Sequence, residues 1–249
     1  MKHLNHPGAR VIAAIAVLCV SLLLGSCATM PATHTDPERD PWESWNRKVH
    51  AFNTGFDDAI FRPVAKGYDT IMPDAPQRGV RNFFRNLAYP VTFINLLLQG
   101  RVEDSLTATG RFLMNATIGL GGFFDVASKA GMPTFNEDLG QTLAVWGWKN
   151  SRYLVMPIFG PYTARDFIGR GFYGYFHPVS YMAREHNNYW PMIIDLISLR
   201  AELLPFQPDI DSAADPYVFI RDAYLQRREF LIYNGDPPAP DYDSMLEEY

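Results

Sequence analysis

Along most of this chain apolar residues recur at three- or four-residue intervals, the period of a helix with one buried face, and prolines cut the pattern into short pieces. The run Asp40-Pro41-Trp42-Glu43 has the form of a helix start, with Asp as cap, Pro at the first helical position and Glu three residues after the cap. Trp45, Val49, Phe52 and Phe56 follow on one apolar face. The helix is expected to end near Ile60, because Pro63 disfavours helical geometry at Arg62. Gln77 to Leu87 repeats the pattern with Val80, Phe83, Phe84 and Leu87. Pro90 then opens a separate segment to Gly100 that is apolar on nearly every side except at Thr92, Asn95 and Gln99. That piece is too short to span a bilayer, so it is expected to be buried or to lie within one leaflet.

Arg101 to Ile118 is the next predicted helix, with Val102, Leu106, Phe112 and Leu113 as its apolar positions and Gly110 weakening the middle. Gly119-Leu-Gly-Gly122 makes a flexible junction before Phe123 to Ala130, which Gly131 caps ahead of Pro133. Asn136 to Gly147 reads as a short capped helix, and Arg152 to Pro157 as an extended piece running into a Gly160-Pro161 turn. Arg165 to Tyr175 and the densely apolar Trp190 to Leu204 are later helices. Asp215-Pro216 starts the last one, which runs to about Tyr233 before Asn234-Gly235 stops it. Alternating strand patterns of useful length are absent. The expected fold is a mostly α single domain over 40–235, built from about eight short, proline-bounded helices. The acidic, proline-bearing tail 236–249 reads as disordered.

The N-terminal stretch changes the picture. Lys2 and Arg10 precede the apolar run Val11 to Leu24, and Leu24-Gly25-Ser26-Cys27 closes it, the pattern of a bacterial lipoprotein export signal. The fourteen-residue run would make about 21 Å of helix, short of the roughly 30 Å hydrocarbon core. Residues 1–26 are therefore expected to be removed, and Cys27 to carry an N-acyl and an S-diacylglycerol lipid, a multi-chain anchor that does not detach. Cys19 leaves with the leader, so no intramolecular disulfide is expected. Residues 27–39 read as a tether. Ala28, where lipoproteins retained in the inner membrane commonly carry Asp, favours the outer membrane as the address.

Composition adds an ambiguity. The chain holds 17 Phe, 13 Tyr, 5 Trp and 9 Met, enough to build a core or to contact lipid, and composition does not choose between the two. Loss of Lys2 and Arg10 with no acid moves the net charge from −5 to −7, a poor balance for binding nucleic acid.

Catalytic motifs are weak. Gly169-Arg-Gly171-Phe-Tyr-Gly174 matches a dinucleotide fingerprint literally but lacks the preceding strand, so close helix approach or local bending is the plainer role. A lipase elbow, a zinc helix and a P-loop are missing. Of the histidines outside the leader, His34, His50, His177 and His186, only Glu185-His186 resembles a ligand pair, and no second ligand sits one turn away. Neither a catalytic nor a metal site is expected, and the only cofactor is the lipid on Cys27. Arg165-Asp166 follows a turn in an apolar neighbourhood and reads either as an ion pair or helix-start cap, or as a pair with one member facing a lipid headgroup. Arg81, Arg85 and Arg111 punctuate aromatic faces and either meet phosphate or snorkel.

In order along the chain, Asp40-Pro-Trp-Glu-Ser-Trp-Asn46-Arg47 with Phe52-Asn53, Val80-Arg-Asn-Phe-Phe-Arg-Asn-Leu87, Asn95-Leu-Leu-Leu-Gln-Gly100 and Arg111-Phe-Leu-Met-Asn115 resemble the MlaA/VacJ lipoprotein family. So do Glu137-Asp-Leu-Gly-Gln-Thr142, Trp146-Gly147, Tyr153 to Pro161 with Arg165-Asp166, and Tyr224-Leu-Gln-Arg-Arg228, the whole covering about 37–233. Departures fall at His50, where the family commonly has Phe, and at Ala144, where it commonly has Gly.

The resemblance implies an α-helical ring in the inner leaflet of the outer membrane, beside a trimeric porin, with a central amphipathic channel. Such a protein removes mislocalised glycerophospholipid from the outer leaflet and passes it to a soluble periplasmic carrier serving an inner-membrane ABC transporter. No bond is made or broken, so the chain is expected not to be an enzyme. A charged headgroup crosses hydrocarbon only at large cost, and a polar-lined passage lowers that barrier. Val91 to Leu98 and Met192 to Leu204 are the expected apolar exterior. Gly119, Gly121 and Gly122 are the candidate hinge for opening the passage. A membrane-anchored phospholipid-degrading enzyme and a lipoprotein that bridges porins without moving lipid are the competing functions.

Overall fold

The computed structural model describes residues 36–238. The leader, residues 27–35 of the tether with Cys27, and the tail from 239 onward lie outside the described residues. The body is helical with one small hairpin, in the order α1 (Glu43–Phe56), a π-helical turn (Asp57–Phe61), α2 (Arg62–Ile71), α3 (Asp74–Leu98), α4 (Val102–Thr117), α5 (Val126–Lys129) and α6 (Leu139–Val145). There follow β1 (Tyr153–Met156), β2 (Gly160–Thr163), α7 (Ala164–Phe176), α8 (Pro178–His186), α9 (Trp190–Glu202), a 3-10 turn (Leu204–Phe206), α10 (Gln207–Ser212) and α11 (Pro216–Ile232). Among the described residues no helix is long and apolar enough to cross a membrane.

Two predicted helix ends are absent. Pro63 does not stop the first helix. The chain passes through the π-helical turn into α2, where Pro63 occupies the first turn, a position whose N–H would have no helical partner anyway. Arg200 holds this joint by two bonds of 2.7 and 2.8 Å to Asp57, and Arg62 adds ion pairs to Asp57, Asp58 and Asp211. Pro90 likewise lies inside a single 25-residue helix rather than opening a new one. Asp40 is no cap for α1: it is buried, and its carboxylate accepts from Asn46 Nδ2 at 2.8 Å and from the Tyr217 hydroxyl, with Arg221 at 3.5 Å.

The cap at Asp215 and the stop at Asn234-Gly235 follow their sequence signals, and two further side-chain caps appear at Asp138 and Thr163. Asp138 accepts from Gln141 N, Thr163 from Asp166 N, and Asp215 from Tyr217 N and Val218 N, while Asn234 and Gly235 end α11 at positive φ. The Gly160-Pro161 stretch belongs to a strand, with Tyr153 opposite Thr163 and Met156 opposite Gly160. Two asparagines seven residues apart on α1 pair with this hairpin as another strand would. Asn46 bonds Tyr153 O and Val155 N at 3.3 and 2.8 Å, and Asn53 bonds Met156 O and Ile158 N at 2.9 and 2.7 Å. The second clamp holds Ile158 at φ +69°, a backbone region that β-branched residues rarely enter.

Burial departs from the helical patterns on two helices. On α1 the buried positions are Glu43, Asn46 and Val49, while Trp45 and Phe52 are exposed. On α4 the buried positions are Ser105, Ala108, Arg111 and Asn115, while Val102, Leu106 and Leu113 face outward. The α9 exterior is apolar as expected, with Met192, Ile193, Ile194, Leu196 and Leu199 exposed. The Val91 to Leu98 exterior is corrected: Val91, Thr92, Asn95 and Leu96 are buried and only Leu97 and Leu98 are exposed. Among the described residues, buried apolar side chains pack into two small clusters, Val49, Tyr153, Val155 and Tyr217, and Tyr89, Leu96 and Ala108.

Candidate functional site: a polar cavity inside an apolar shell

A cavity of about 830 Å³ lies among α3, α4, α7, α9, α11 and the segment Thr134 to Glu137. Its size falls within the ~300–1,000 Å³ range of pockets that take small ligands. The wall from α3 carries Arg81, Arg85, Asn86, Tyr89 and Thr92, and that from α9 carries Asp195, Ser198, Leu199 and Glu202. Phe84, Phe135 and Phe230 supply apolar surface beside these polar groups, so the lining is amphipathic.

Charge in the lining is mostly paired. Arg85 meets Glu202 at 2.7 Å, joining α3 to α9. Arg101 meets Glu137 at 2.9 Å, and burial raises the Glu137 carboxyl while Gln99 and Arg101 pull it back. Arg111, only 1 % exposed, bonds Asp125, Tyr89, Ser128 and Met132 O. It tethers α5 to α4 and has little left to offer a ligand. Arg81 and Asp195 make no ion pair or hydrogen bond, and Arg227 lies over the Phe230 ring at 5.7 Å. Burial pushes the Asp195 carboxyl up to about 6, against the more distant pull of Arg170.

Arg165 and Asp166 lie elsewhere. Both are buried, paired at 3.2 Å, and neither lines the cavity. Arg165 donates to Trp148 O and Lys149 O, and Asp166 accepts from Arg228 at 2.8 Å and from the Tyr224 hydroxyl at 2.8 Å. Arg228 also grips Asp138 at 2.7 Å, and these contacts hold that carboxyl low despite its burial. Ion pair and helix-start geometry thus coincide here, with no atom left facing a headgroup. Of the fingerprint glycines, Gly169 allows close helix approach: a Cβ there would stand 2.6 Å from Gly140 N.

The candidate hinge is tightly packed at two of its three glycines. A Cβ on Gly119 would lie 2.2 Å from Phe124 O, and one on Gly122, at φ +97°, would lie 2.5 Å from Asn86 Cβ. Gly121, at φ +73°, has open space. At the two departures noted in the sequence, His50 stands edge-on to Tyr217 with ring centroids 5.6 Å apart, and Ala144 is buried.

Asp195, Ser198 and Glu202 are the site residues that the sequence reading missed. Their signal was a polar stripe in the otherwise apolar helix Trp190 to Leu204. Among the described residues no group of three His, Cys, Asp or Glu could hold a metal ion.

The sequence profile of the MlaA lipoprotein family matches residues 38–231. The chain is 32 % identical over 228 residues to the intermembrane phospholipid transport system lipoprotein MlaA of Escherichia coli K12, covering 88 % of each protein. It is 29 % identical to the protein of the same name from Haemophilus influenzae, covering 89 % of this chain and 90 % of that one. An uncharacterised protein of Rickettsia prowazekii is 39 % identical over 192 residues, 76 % of each. The fold matches a solved structure concerned with maintenance of bacterial outer membrane lipid asymmetry, with a TM-score of 0.68, 30 % identity, and coverage of 78 % of this chain and 98 % of that one. Ordered motifs, a helical body around an amphipathic cavity and similarity over most of the chain agree, and the chain belongs to the MlaA lipoprotein family.

Proposed function

We propose that this protein is the phospholipid-transport lipoprotein of its envelope, sitting in the inner leaflet of the outer membrane by the lipid on Cys27. It removes glycerophospholipids that have strayed into the outer leaflet and hands them to a soluble periplasmic carrier that serves an inner-membrane ABC transporter. A trimeric porin is its neighbour in the membrane. The observation that carries this reading is the pairing of an apolar exterior with a polar, arginine-bearing cavity, since a headgroup needs charge and hydrogen bonds while acyl chains need neither. The chain supplies transport chemistry and nothing more: arginines meet phosphate, and outward-facing Leu, Ile and Phe side chains keep the body among lipid tails. Opening of the passage at Gly121, the one junction glycine with open space, belongs to the same reading.

Outer-leaflet phospholipid measured in a deletion strain tests it. Accumulation is expected in the deletion, with rescue by the wild-type gene and poor rescue by Cys27→Ala. An unchanged outer leaflet with altered porin assembly would favour a bridging lipoprotein instead. Release of fatty acid or lysolipid by the purified protein would make it an enzyme. A crosslink across the Gly119 to Gly122 junction that leaves lipid clearance intact would remove the hinge from the mechanism.

A further inference from the structure

We propose that the cavity holds a subsite for a primary ammonium group, so that among phospholipids the protein prefers ethanolamine-type headgroups; this rests on the transport reading above. Three acceptors in the lining have no donor. The Asp195 carboxylate makes no hydrogen bond or ion pair, and the Asn86 Oδ1 and Ser198 Oγ atoms are buried without a partner. Asn86 is 4 % exposed and Ser198 1 % exposed, so water at the surface does not satisfy them. Asp195 and Ser198 are neighbours one turn apart on α9. Asn86 adjoins Arg85, whose bond to Glu202 ties α3 to that same helix.

Buried polar groups are nearly always paired, and an unmade bond destabilises the fold, so an unpaired, partly exposed Asp195 with two orphaned acceptors among the residues lining the same cavity points to a ligand that brings donors. A primary ammonium is all donor, with three N–H bonds and a positive charge. A quaternary ammonium has no N–H and would call for a cage of aromatic faces. A glycerol headgroup carries no charge to meet Asp195. On the same lining Arg81 has no counter-ion, which leaves it open to the phosphate that accompanies the amine. The cavity therefore complements a zwitterion, anion toward Arg81 and cation toward Asp195.

The test is titration of the full acylated protein in detergent with dihexanoyl phosphatidylethanolamine, phosphatidylcholine and phosphatidylglycerol. The wild type is expected to bind the ethanolamine lipid about tenfold more tightly than either of the others, and Asp195→Asn to lose that preference while still binding all three. Ser198→Ala, which removes one acceptor and little volume, should reduce the preference by a smaller factor. Equal affinity for the three lipids in the wild type, or an undiminished preference in Asp195→Asn, would overturn the subsite while leaving transport intact. Failure of a folded wild type to bind any of the three would overturn the transport reading, and the subsite with it.

Discussion

At the scale of single residues, the fold depends on charges and amides that have been taken out of water. Arg228 is held between Asp138 and Asp166, so Arg228→Ala would leave Asp138 without its cation and the buried Asp166 with Arg165 alone. Breaking one side of such a network typically costs about 3–5 kcal/mol, and chemical unfolding of the variant should show a loss of that order. Asn46→Ala would orphan the Tyr153 carbonyl and the Val155 amide, for about 1–3 kcal/mol at each buried group. Gly169→Ala would force α7 away from Gly140, and overpacking of this kind costs about 1–3 kcal/mol.

Two titrating residues near the cavity act in opposite directions. Burial, helped by Arg170, lowers His177 to about 4. The unfolded chain takes up that proton near 6.5, so His177 removes stability as pH falls from about 6.5 to about 4. Asp195 is raised to about 6, so the folded chain protonates it first and stability rises through much of the same window. In the wild type these two contributions partly offset each other. Asp195→Asn should be more stable than wild type at pH 7 and then lose roughly 2 kcal/mol between pH 6.5 and 4, a figure reduced for solvent screening. Thermal unfolding across this pH range checks both, and a flat profile for the variant would contradict the assignment.

At the scale of elements, period was legible and polarity was not. The 3.6-residue pattern of Arg101 to Ile118 located α4 to within a residue at each end, because helical period is local. Which face turns inward is a property of the surroundings. In water the apolar stripe would be buried, whereas here Ser105, Ala108, Arg111 and Asn115 are inside and Leu106 and Leu113 outside. The prolines misled for a related reason. Pro90 removes one N–H from a helix whose neighbours Tyr89 and Val91 are both buried, and packing on either side keeps the axis continuous. The short helices α8 and α10 were not foreseen, since each has few residues to show a period.

The α9 exterior yields a prediction at this scale. Replacing Met192, Ile193 and Leu196 by Ser in a Cys27→Ala background removes apolar area from the outward face. Flotation with phospholipid vesicles should fall several-fold relative to Cys27→Ala alone, while helical content by circular dichroism stays unchanged. Equal flotation of the two proteins would show that α9 does not contact lipid.

For the molecule as a whole, local order along the chain was enough to give the helical class, the cap at Asp215, the family and the expectation of an anchored lipoprotein. Those features are set by residues close together in sequence, or by motifs that survive as strings. The inward direction of the polar faces, the clamp of Asn46 and Asn53 on the hairpin, and the enclosure of Arg165 and Asp166 in a buried ion-pair network depend on partners far away in the chain. The same holds for the cavity. Arg81 and Arg85 were candidates from spacing alone, but placing them on one lining with Asp195, Ser198 and Glu202 required α3 and α9 to pack together. A one-dimensional pattern records what each segment can bury. Three-dimensional packing chooses what it does bury, because burial free energy belongs to pairs of surfaces and to the medium around them.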